Sequence, residues 1–162
     1  MKKILIMIIV ACSFSALQAQ TSKRDKKFVA CVAQSDMMEV KLAELAQTNA
    51  SHAEVKGLGK KLTDENKTSL KSVAEKNSIP VPAGLSKKQQ KMYNKMAMLK
   101  GEKFDKHYTK CMVKSHKKLL CKFKKEAKKG GNTELKEWAK NSIPTIENHK
   151  EQSQKTCIAI KK

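Results

Sequence analysis

The stretch "MMEVKLAELAQTNASHAEVKGLGKKL", Met37 to Leu62, decides the fold of this chain. Apolar side chains recur in it every three or four residues, which is the spacing of one face of an α-helix. The spacing breaks once, near residues 50 and 51. There "SHAE" places a serine three residues before a glutamate, as in a capping box at the start of a helix. We therefore predict two antiparallel helices joined by a short turn.

The same periodicity predicts a first helix from about Lys23 to Asn49 and a second that ends at "KNSIP", Lys76 to Pro80. Asparagine and serine are weak helix formers, and proline cannot continue a helical turn. "KNSIP" occurs again at Lys140 to Pro144, where "TIENHKEQ" follows at once. We interpret the second copy as a kink or a restart, with Pro144 in the first turn of the new segment. The repeat indicates shared helix-end chemistry rather than a duplicated binding site.

The second half of the chain shows the same helical spacing. "SKKQ" has the capping-box pattern and begins a short helix over Ser86–Leu99. A long helix is predicted from about Glu102 to Lys129, where basic residues and then glycine are typical of a helix stop. A last helical stretch runs from Thr133 to near Ile160. The predicted fold class is all-α, an antiparallel helical bundle with one short extra helix.

The N-terminal segment predicts export from the cytoplasm. Residues 1–19, "MKKILIMIIVACSFSALQA", combine two lysines, an apolar run and a small residue at the cleavage position, as secretory signals do. A second interpretation is that "IVAC" resembles a lipobox, so that a lipidated Cys12 anchors the protein. Both interpretations place the mature protein in the periplasm, in the medium or on the envelope. Residues 20–162 are then expected to form a single helical-bundle domain.

The charge of the chain is strongly positive, with a formal value of +20 and only one arginine, Arg24. Aromatic residues make up 4% of the chain, too few for a platform on which single-stranded nucleic acid stacks. Nucleic acid is therefore not an expected partner. A solvated basic surface is one interpretation. The other is attraction to anionic lipid or glycan surfaces.

Four cysteines follow residue 19: Cys31, Cys111, Cys121 and Cys157. An even number in an oxidising compartment indicates disulfides. Cys111 and Cys121 lie about 15 Å apart along one predicted helix, too far to bridge each other. The remaining pairings stay open, and the absence of a CxxC spacing argues against a zinc knuckle.

Four ionisable residues stand within the apolar stripes, each on a different helical segment: Glu39, Glu65, His116 and His149. If the hairpins turn near residues 50 and 131, each lies about 12 to 18 residues from its turn, so the four would meet near mid-bundle. Facing glutamates and histidines are ligands of bundle metal sites, which predicts a divalent transition metal. The alternative is a structural network of buried, hydrogen-bonded ion pairs.

The order of several segments resembles the bacterial family called domain of unknown function 4142. These segments are "SDMMEVKLAELAQTNASHAEVKGLGKKLTDENKTSLKSVAEKNSIPVP", "GEKFDKHY", "VKSHKKLL" and "SIPTIENHKEQ". The resemblance covers about residues 27 to 155. It implies a ferritin-like bundle in a secreted, periplasmic or putative outer-membrane protein, and it carries no established activity.

The resemblance also assigns particular positions. The acidic position of the family maps onto Glu39, its Phe-Asp pair onto Phe104 and Asp105, and its later histidines onto His116 and His149. The family's Asp-His signature on the second helix is Asp64-Glu65 here. A metal site that needs a histidine at that point is therefore not expected, although Glu65 could still ligate.

No nucleophile elbow, Cys-His pairing or phosphate-cradling glycine loop occurs in the sequence. We therefore predict a non-enzymatic, extracytoplasmic helical-bundle protein with a binding role or a role related to the envelope or to stress. Two alternatives are more specific. One is a metal-binding bundle that uses the Glu/His cluster, and the other is a basic binder of anionic envelope surfaces.

Overall fold

The structure, a computed structural model, describes residues 21–65 and 70–161, with the backbone alone at residue 65. Within these residues the chain is all-α, as predicted. Its helices are α1 (Lys23–Asn49), α2 (Ala53–Glu65), α3 (Leu70–Lys76), α4 (Lys87–Ala97), α5 (Gly101–Lys129) and α6 (Thr133–Ala159). Both hairpin turns fall where the sequence predicts them. The predicted signal, with Cys12, lies outside the described residues.

At each end of the bundle, a buried aspartate accepts hydrogen bonds from the backbone of a turn. At one end, Asp25 in the first turn of α1 accepts a hydrogen bond from Gly131 N, in the α5–α6 turn, at 2.9 Å. At the other end, Asp105 near the start of α5 accepts hydrogen bonds from Ser51 N at 3.2 Å and His52 N at 3.0 Å, in the α1–α2 turn. The start of α1 thus meets the end of α5, and the two helices are antiparallel.

The connection from α3 to α5 gives the bundle its ferritin-like topology. The end of α3 lies beside the start of α6, because Asn132 Nδ2 donates to Asn77 Oδ1 at 2.6 Å. α5 begins at the opposite end of the bundle, so the intervening chain must cross its full length. α4 lies in this crossover and contacts α1 and α5. Two hairpins joined by one long crossover are the connectivity of ferritin-like bundles.

The first "KNSIP" ends a helix, as predicted. Ser78 has a positive φ of 52°, Ser78 N donates to Glu75 O at 3.0 Å, and Ile79 N donates to Ala74 O at 2.8 Å. These two bonds form a Schellman motif, which satisfies the last carbonyls of α3. Asn77 Nδ2 also donates to Glu134 Oε2 on α6 at 3.0 Å, so a tertiary contact supports this helix end.

The second "KNSIP" does not end a helix, and the prediction of a restart is wrong. α6 continues from Thr133 to Ala159 with Pro144 inside it. Proline inside a helix removes one backbone hydrogen bond and its ring crowds the carbonyl four residues earlier, so a helix that continues through it needs support from packing. Ile146 and His149 beyond the proline are buried, and this packing keeps the second half of α6 against the bundle.

The capping box at the start of α4 is confirmed. Gln89 N donates to Ser86 Oγ at 3.3 Å, and Ser86 N donates to Gln89 Oε1 at 3.2 Å. A further capping box, which the sequence interpretation missed, joins Ser22 and Asp25 at the start of α1. Both boxes satisfy backbone N–H groups that a helix start leaves unpaired.

The predicted box at Ser51 and Glu54 is wrong. The Ser51 hydroxyl donates instead to Asp105 Oδ2 at 2.5 Å, and α2 begins at Ala53. Ser51 N also donates to Asp105 Oδ2, at 3.2 Å, so the tertiary carboxylate occupies the place that the Glu54 carboxylate would take in a capping box.

Two apolar clusters fill the bundle, one toward each end. The cluster at the Asp25 end includes Phe28 and Phe123, whose ring centroids are 4.9 Å apart. The cluster at the Asp105 end includes Phe104 and Tyr108, which stack at 5.5 Å. The middle layer between these clusters is polar and holds the candidate site.

Two glycines of α2 offer a matched test of how closely α1 and α2 pack. A Cβ at Gly57 would meet no heavy atom within 4 Å, whereas one at Gly59 would lie 3.3 Å from Ala43 Cα and 3.2 Å from Tyr108 Oη. Alanine favours a helix over glycine by about 1 kcal/mol. We expect Gly57→Ala to raise the unfolding free energy by about 0.5–1 kcal/mol and Gly59→Ala to lower it. Urea unfolding measures both, and equal gains would contradict the close helix contact.

The structure does not support the expected disulfides. Cys31, Cys111, Cys121 and Cys157 are all free, and Cys121 is exposed. Neighbouring helix axes lie about 8–10 Å apart, so two cysteines can bridge only where both face the same seam. Cys121 faces solvent and does not meet that condition. Among the described helices, none is both long and apolar enough to cross a membrane.

Candidate metal centre

Three of the four predicted ligands meet in the polar middle layer. Glu39 on α1, His116 on α5 and His149 on α6 are all buried, and one potential ligand atom from each lies within 4.8 Å of the others. The side chain of the fourth, Glu65, lies outside the described residues, so its place in the cluster stays a prediction. The depth argument from the two hairpin turns is therefore confirmed for three residues.

Glu39 and His116 form a close pair in this cluster. Glu39 Oε2 lies 3.1 Å from His116 Nε2, with side-chain exposures of 9% and 2%. His116 Nδ1 lies 2.9 Å from Met112 O, one turn earlier on α5. A carbonyl oxygen can only accept, so Nδ1 carries a proton, and Nε2 needs one to donate to the carboxylate. Without a metal, the geometry calls for an imidazolium–carboxylate pair.

The electrostatics agree with that protonation state. Burial alone would lower the pKa of His116, but the hydrogen bond and charge of Glu39, helped by the Met112 carbonyl, raise it above its usual value of 6.5. A charged histidine in a protein core needs such a partner.

His149 completes the cluster from α6. Its ring lies 5.5 Å from the His116 ring, centroid to centroid, at an angle of 89°. Ser153 Oγ, one turn later, donates to the His149 carbonyl at 2.7 Å. The two imidazoles thus belong to the two helices of one hairpin, and the carboxylate comes from the other hairpin.

A cavity of about 80 Å³ adjoins Glu39 and His116. Gln89 of α4 lines it, and Gln89 Nε2 donates to Gln34 O on α1 at 2.8 Å. The crossover helix thus forms one wall of the cavity. The cavity is larger than the volume that one molecule occupies in liquid water, about 30 Å³.

Two imidazoles and one carboxylate suit a divalent transition metal such as zinc or iron. The bond from His116 Nδ1 to the Met112 carbonyl fixes the ring orientation and directs Nε2 into the cluster, as outer-shell partners of metal-bound histidines do. Three protein ligands would leave further coordination positions open. The cluster can therefore hold either a proton on His116 or a metal ion in its place.

A second buried polar cluster, at the start of α1, was missed by the sequence interpretation. Asp25 accepts hydrogen bonds from Ser22 N at 2.8 Å and Asn132 N at 3.1 Å, besides that from Gly131. It also shares a side-chain hydrogen bond with Glu126 of α5. The "SKRD" spacing, serine three residues before aspartate, could have indicated the first of these contacts.

Asp25 and Glu126 share one proton below about pH 7. Burial, together with the hydrogen bond and charge of Asp25, raises the pKa of Glu126 to about 7. Burial would also raise the pKa of Asp25, but hydrogen bonds from Gly131 and Ser22 outweigh it and lower that pKa. Asp25 is therefore the ionised member and Glu126 the protonated one.

Phe104 and Asp105, the Phe-Asp pair of the family resemblance, stabilise the fold and lie outside the Glu39–His116–His149 cluster. Both side chains are fully buried, with Phe104 in the apolar cluster and Asp105 bound to the α1–α2 turn. Neither belongs to the metal cluster.

A family model described as "Domain of unknown function (DUF4142)" matches residues 11–156 of the chain. No curated protein and no solved structure matches the chain. The match covers most of the chain and includes all the residues of the middle layer.

Proposed function

Because this chain belongs to the family Domain of unknown function (DUF4142), which carries no assigned activity, we propose its role from the site itself. The protein is a non-enzymatic helical bundle that binds one divalent transition metal ion through Glu39, His116 and His149. Residues 1–19 support a location outside the cytoplasm, in the periplasm, in the medium or on the envelope.

The observation that carries the proposal is the convergence of three ligand atoms, from three helices, within 4.8 Å. Buried polar groups cost free energy unless they are paired. The Glu39–His116 pair satisfies two of these side chains with a proton, and a metal ion would bind the same atoms together with a His149 ring nitrogen. Rigid helices hold the ligands in place, which favours a defined coordination geometry.

Zinc binding to the mature protein tests the proposal. We expect His116→Ala and His149→Ala each to weaken the affinity for Zn²⁺ by at least about 100-fold, because each removes one of three ligands. His107→Ala is the matched control, since His107 is exposed on α5 and lies outside the cluster. Its affinity should stay within about twofold of the parent.

Two further readouts separate metal binding from folding. Circular dichroism shows whether each variant remains helical. In the parent protein, the apparent Zn²⁺ affinity should rise with pH, because the metal must displace the His116 proton. No Zn²⁺, Fe²⁺ or Mn²⁺ uptake by the folded parent, or equal binding by all the variants, would reduce the cluster to a structural ion pair.

The affinity for anionic lipid or glycan surfaces stays a prediction. Its support is the formal charge of +20, which is carried almost wholly by lysine. Exposed lysine attracts anionic surfaces over about a Debye length, so such binding should weaken steeply with salt.

A further inference from the structure

The small cavity beside the metal centre is rich in sulfur. It has a volume of about 80 Å³ and lies between α1, α4 and α5. Its volume is below the range of sites for organic molecules, about 300–1,000 Å³, but it is large enough for a single ion. Thioether and thiol sulfurs select soft ions such as Cu⁺. Four of the residues that line the cavity carry sulfur: Met38, Met92, Cys111 and Met112.

Methionine is concentrated on the three helices that surround this cavity. Of the eight methionines of the chain, two lie in residues 1–19 and six follow. All six lie on α1, on α4 with its C-cap residue, or on α5: Met37, Met38, Met92, Met96, Met98 and Met112. Methionine commonly fills gaps in an apolar core. Met92 is 38% exposed, however, so core filling does not explain its position, and an ion can reach the cavity from solvent past its side chain.

The charges around the cavity suit a cation of low charge. No lysine is among the described residues that line it, although the chain has a formal charge of +20. Its two ionisable neighbours, Glu39 and His116, form an ion pair with no net charge. Burial raises the pKa of the Cys111 thiol and outweighs the opposing effect of Lys114 and Lys118, so the empty cavity has a neutral thiol. Neutral sulfur atoms compensate the burial of a monovalent ion more readily than that of a divalent one.

We propose that this cavity is a second metal site, which binds one Cu⁺ ion through the sulfurs of Met38, Met92, Cys111 and Met112. When the ion binds, the S–H bond of Cys111 breaks, a sulfur–copper bond forms, and the proton passes to solvent. The copper stays monovalent, so no electron is transferred. This inference goes beyond the proposed divalent centre, because the two sites use different ligand atoms and select different ions.

Anaerobic titration of the mature protein with Cu⁺ tests the proposal, with ascorbate as reductant and bicinchoninate as competing chelator. Every protein compared carries Cys121→Ser, because an exposed thiol binds Cu⁺ by itself. The variant Met38→Leu/Met92→Leu/Met112→Leu should bind Cu⁺ at least about 100-fold more weakly, since it loses three of four ligands. Leucine is close to methionine in volume, so the variant should still fold.

The matched control is Met37→Leu/Met96→Leu/Met98→Leu. It removes the other three methionines that follow residue 19, none of which lines the cavity. Its affinity for Cu⁺ should stay within about twofold of the parent. Equal weakening in the two variants, or no Cu⁺ binding by the parent in competition with bicinchoninate, would overturn the proposal.

The thiol has a control of its own. Cys111→Ser should weaken Cu⁺ binding by at least about tenfold, because it removes the one thiolate ligand. Cys157 is also partly buried, but it does not line the cavity. Cys157→Ser should therefore change the affinity by less than about twofold. Equal effects of the two serine substitutions would contradict the assignment of Cys111.

Zinc titration separates this site from the proposed divalent centre. The leucine variant at positions 38, 92 and 112 keeps Glu39, both histidines and the Met112 carbonyl that holds His116, so its Zn²⁺ affinity should stay within about twofold. Unchanged Cu⁺ binding in that variant would overturn the copper site and leave the divalent centre standing. Absence of Zn²⁺ uptake, with the expected loss of Cu⁺ binding, would remove the divalent centre and support the copper site.

The copper absorption edge gives a readout that needs no variant. In the Cu⁺-loaded parent, the fine structure above the edge should show sulfur neighbours. Nitrogen and oxygen neighbours alone would overturn the proposal, even if circular dichroism showed that the leucine variant had lost its helices.

Discussion

Glu39→Ala is expected to destabilise the metal-free protein by about 3–5 kcal/mol, because it leaves a buried imidazolium without its partner. The His116 side chain is 2% exposed, and Glu39 lies 3.1 Å from its Nε2. Chemical unfolding in the presence of a chelator measures the change. Glu44→Ala on the same helix is the control: Glu44 is exposed, so its loss should cost less than about 0.5 kcal/mol.

The double variant Glu39→Ala/His116→Ala distinguishes the ion pair from simple loss of packing. If the pair is coupled, the double variant should be more stable than the sum of the single changes by about 1–3 kcal/mol. Strictly additive losses would mean that the 3.1 Å contact contributes nothing.

The cost of Glu39→Ala should also depend on pH. The pKa of His116 is raised in the folded protein, so the folded state holds this proton more tightly than the unfolded chain. The stabilisation is complete below 6.5, the usual histidine value, and is lost as the pH rises through the raised pKa. We therefore expect a larger cost at pH 6 than at pH 9.

The meeting of three side chains in the middle layer was predictable because it depends only on helical periodicity and on the positions of the two turns. Helical periodicity placed Glu39, His116 and His149 on inward stripes, and the turn positions set their depth. Neither inference requires knowledge of side-chain contacts. The proton on His116 could not be predicted, because it depends on the 3.1 Å approach of Glu39 and on the Met112 carbonyl.

The predictions at Ser51 and Pro144 were wrong because each rested on a local pattern alone. Ser51 had the spacing of a local cap, but its hydroxyl donates a hydrogen bond to the tertiary carboxylate of Asp105. Pro144 had the local signature of a helix start, but burial of the residues beyond it keeps α6 continuous. A local sequence pattern is compatible with several structures, and contacts between residues distant in sequence determine which of them forms.

Glu126→Gln is expected to stabilise the protein at pH 8 by up to about 3 kcal/mol. A glutamate whose pKa is about 7 when folded, against 4.5 as its ordinary value, binds its proton more tightly in the folded state. The parent therefore loses stability between pH 4.5 and 7, at about 1.4 kcal/mol per pH unit. A glutamine amide can donate to the Asp25 carboxylate at every pH and avoids this loss.

Thermal melts from pH 4.5 to pH 8 compare Glu126→Gln with the control Glu137→Gln, an exposed position on α6. His116 also loses its proton as the pH rises, but it does so equally in both variants. The difference between their melting temperatures therefore reports on Glu126 alone. At pH 8 we expect Glu126→Gln to melt higher by about 6–12 °C, with little difference near pH 4.5. Parallel curves for the two variants would mean that Glu126 is ionised in the folded protein. In that case the proton shared with Asp25 does not hold the start of α1 against α5.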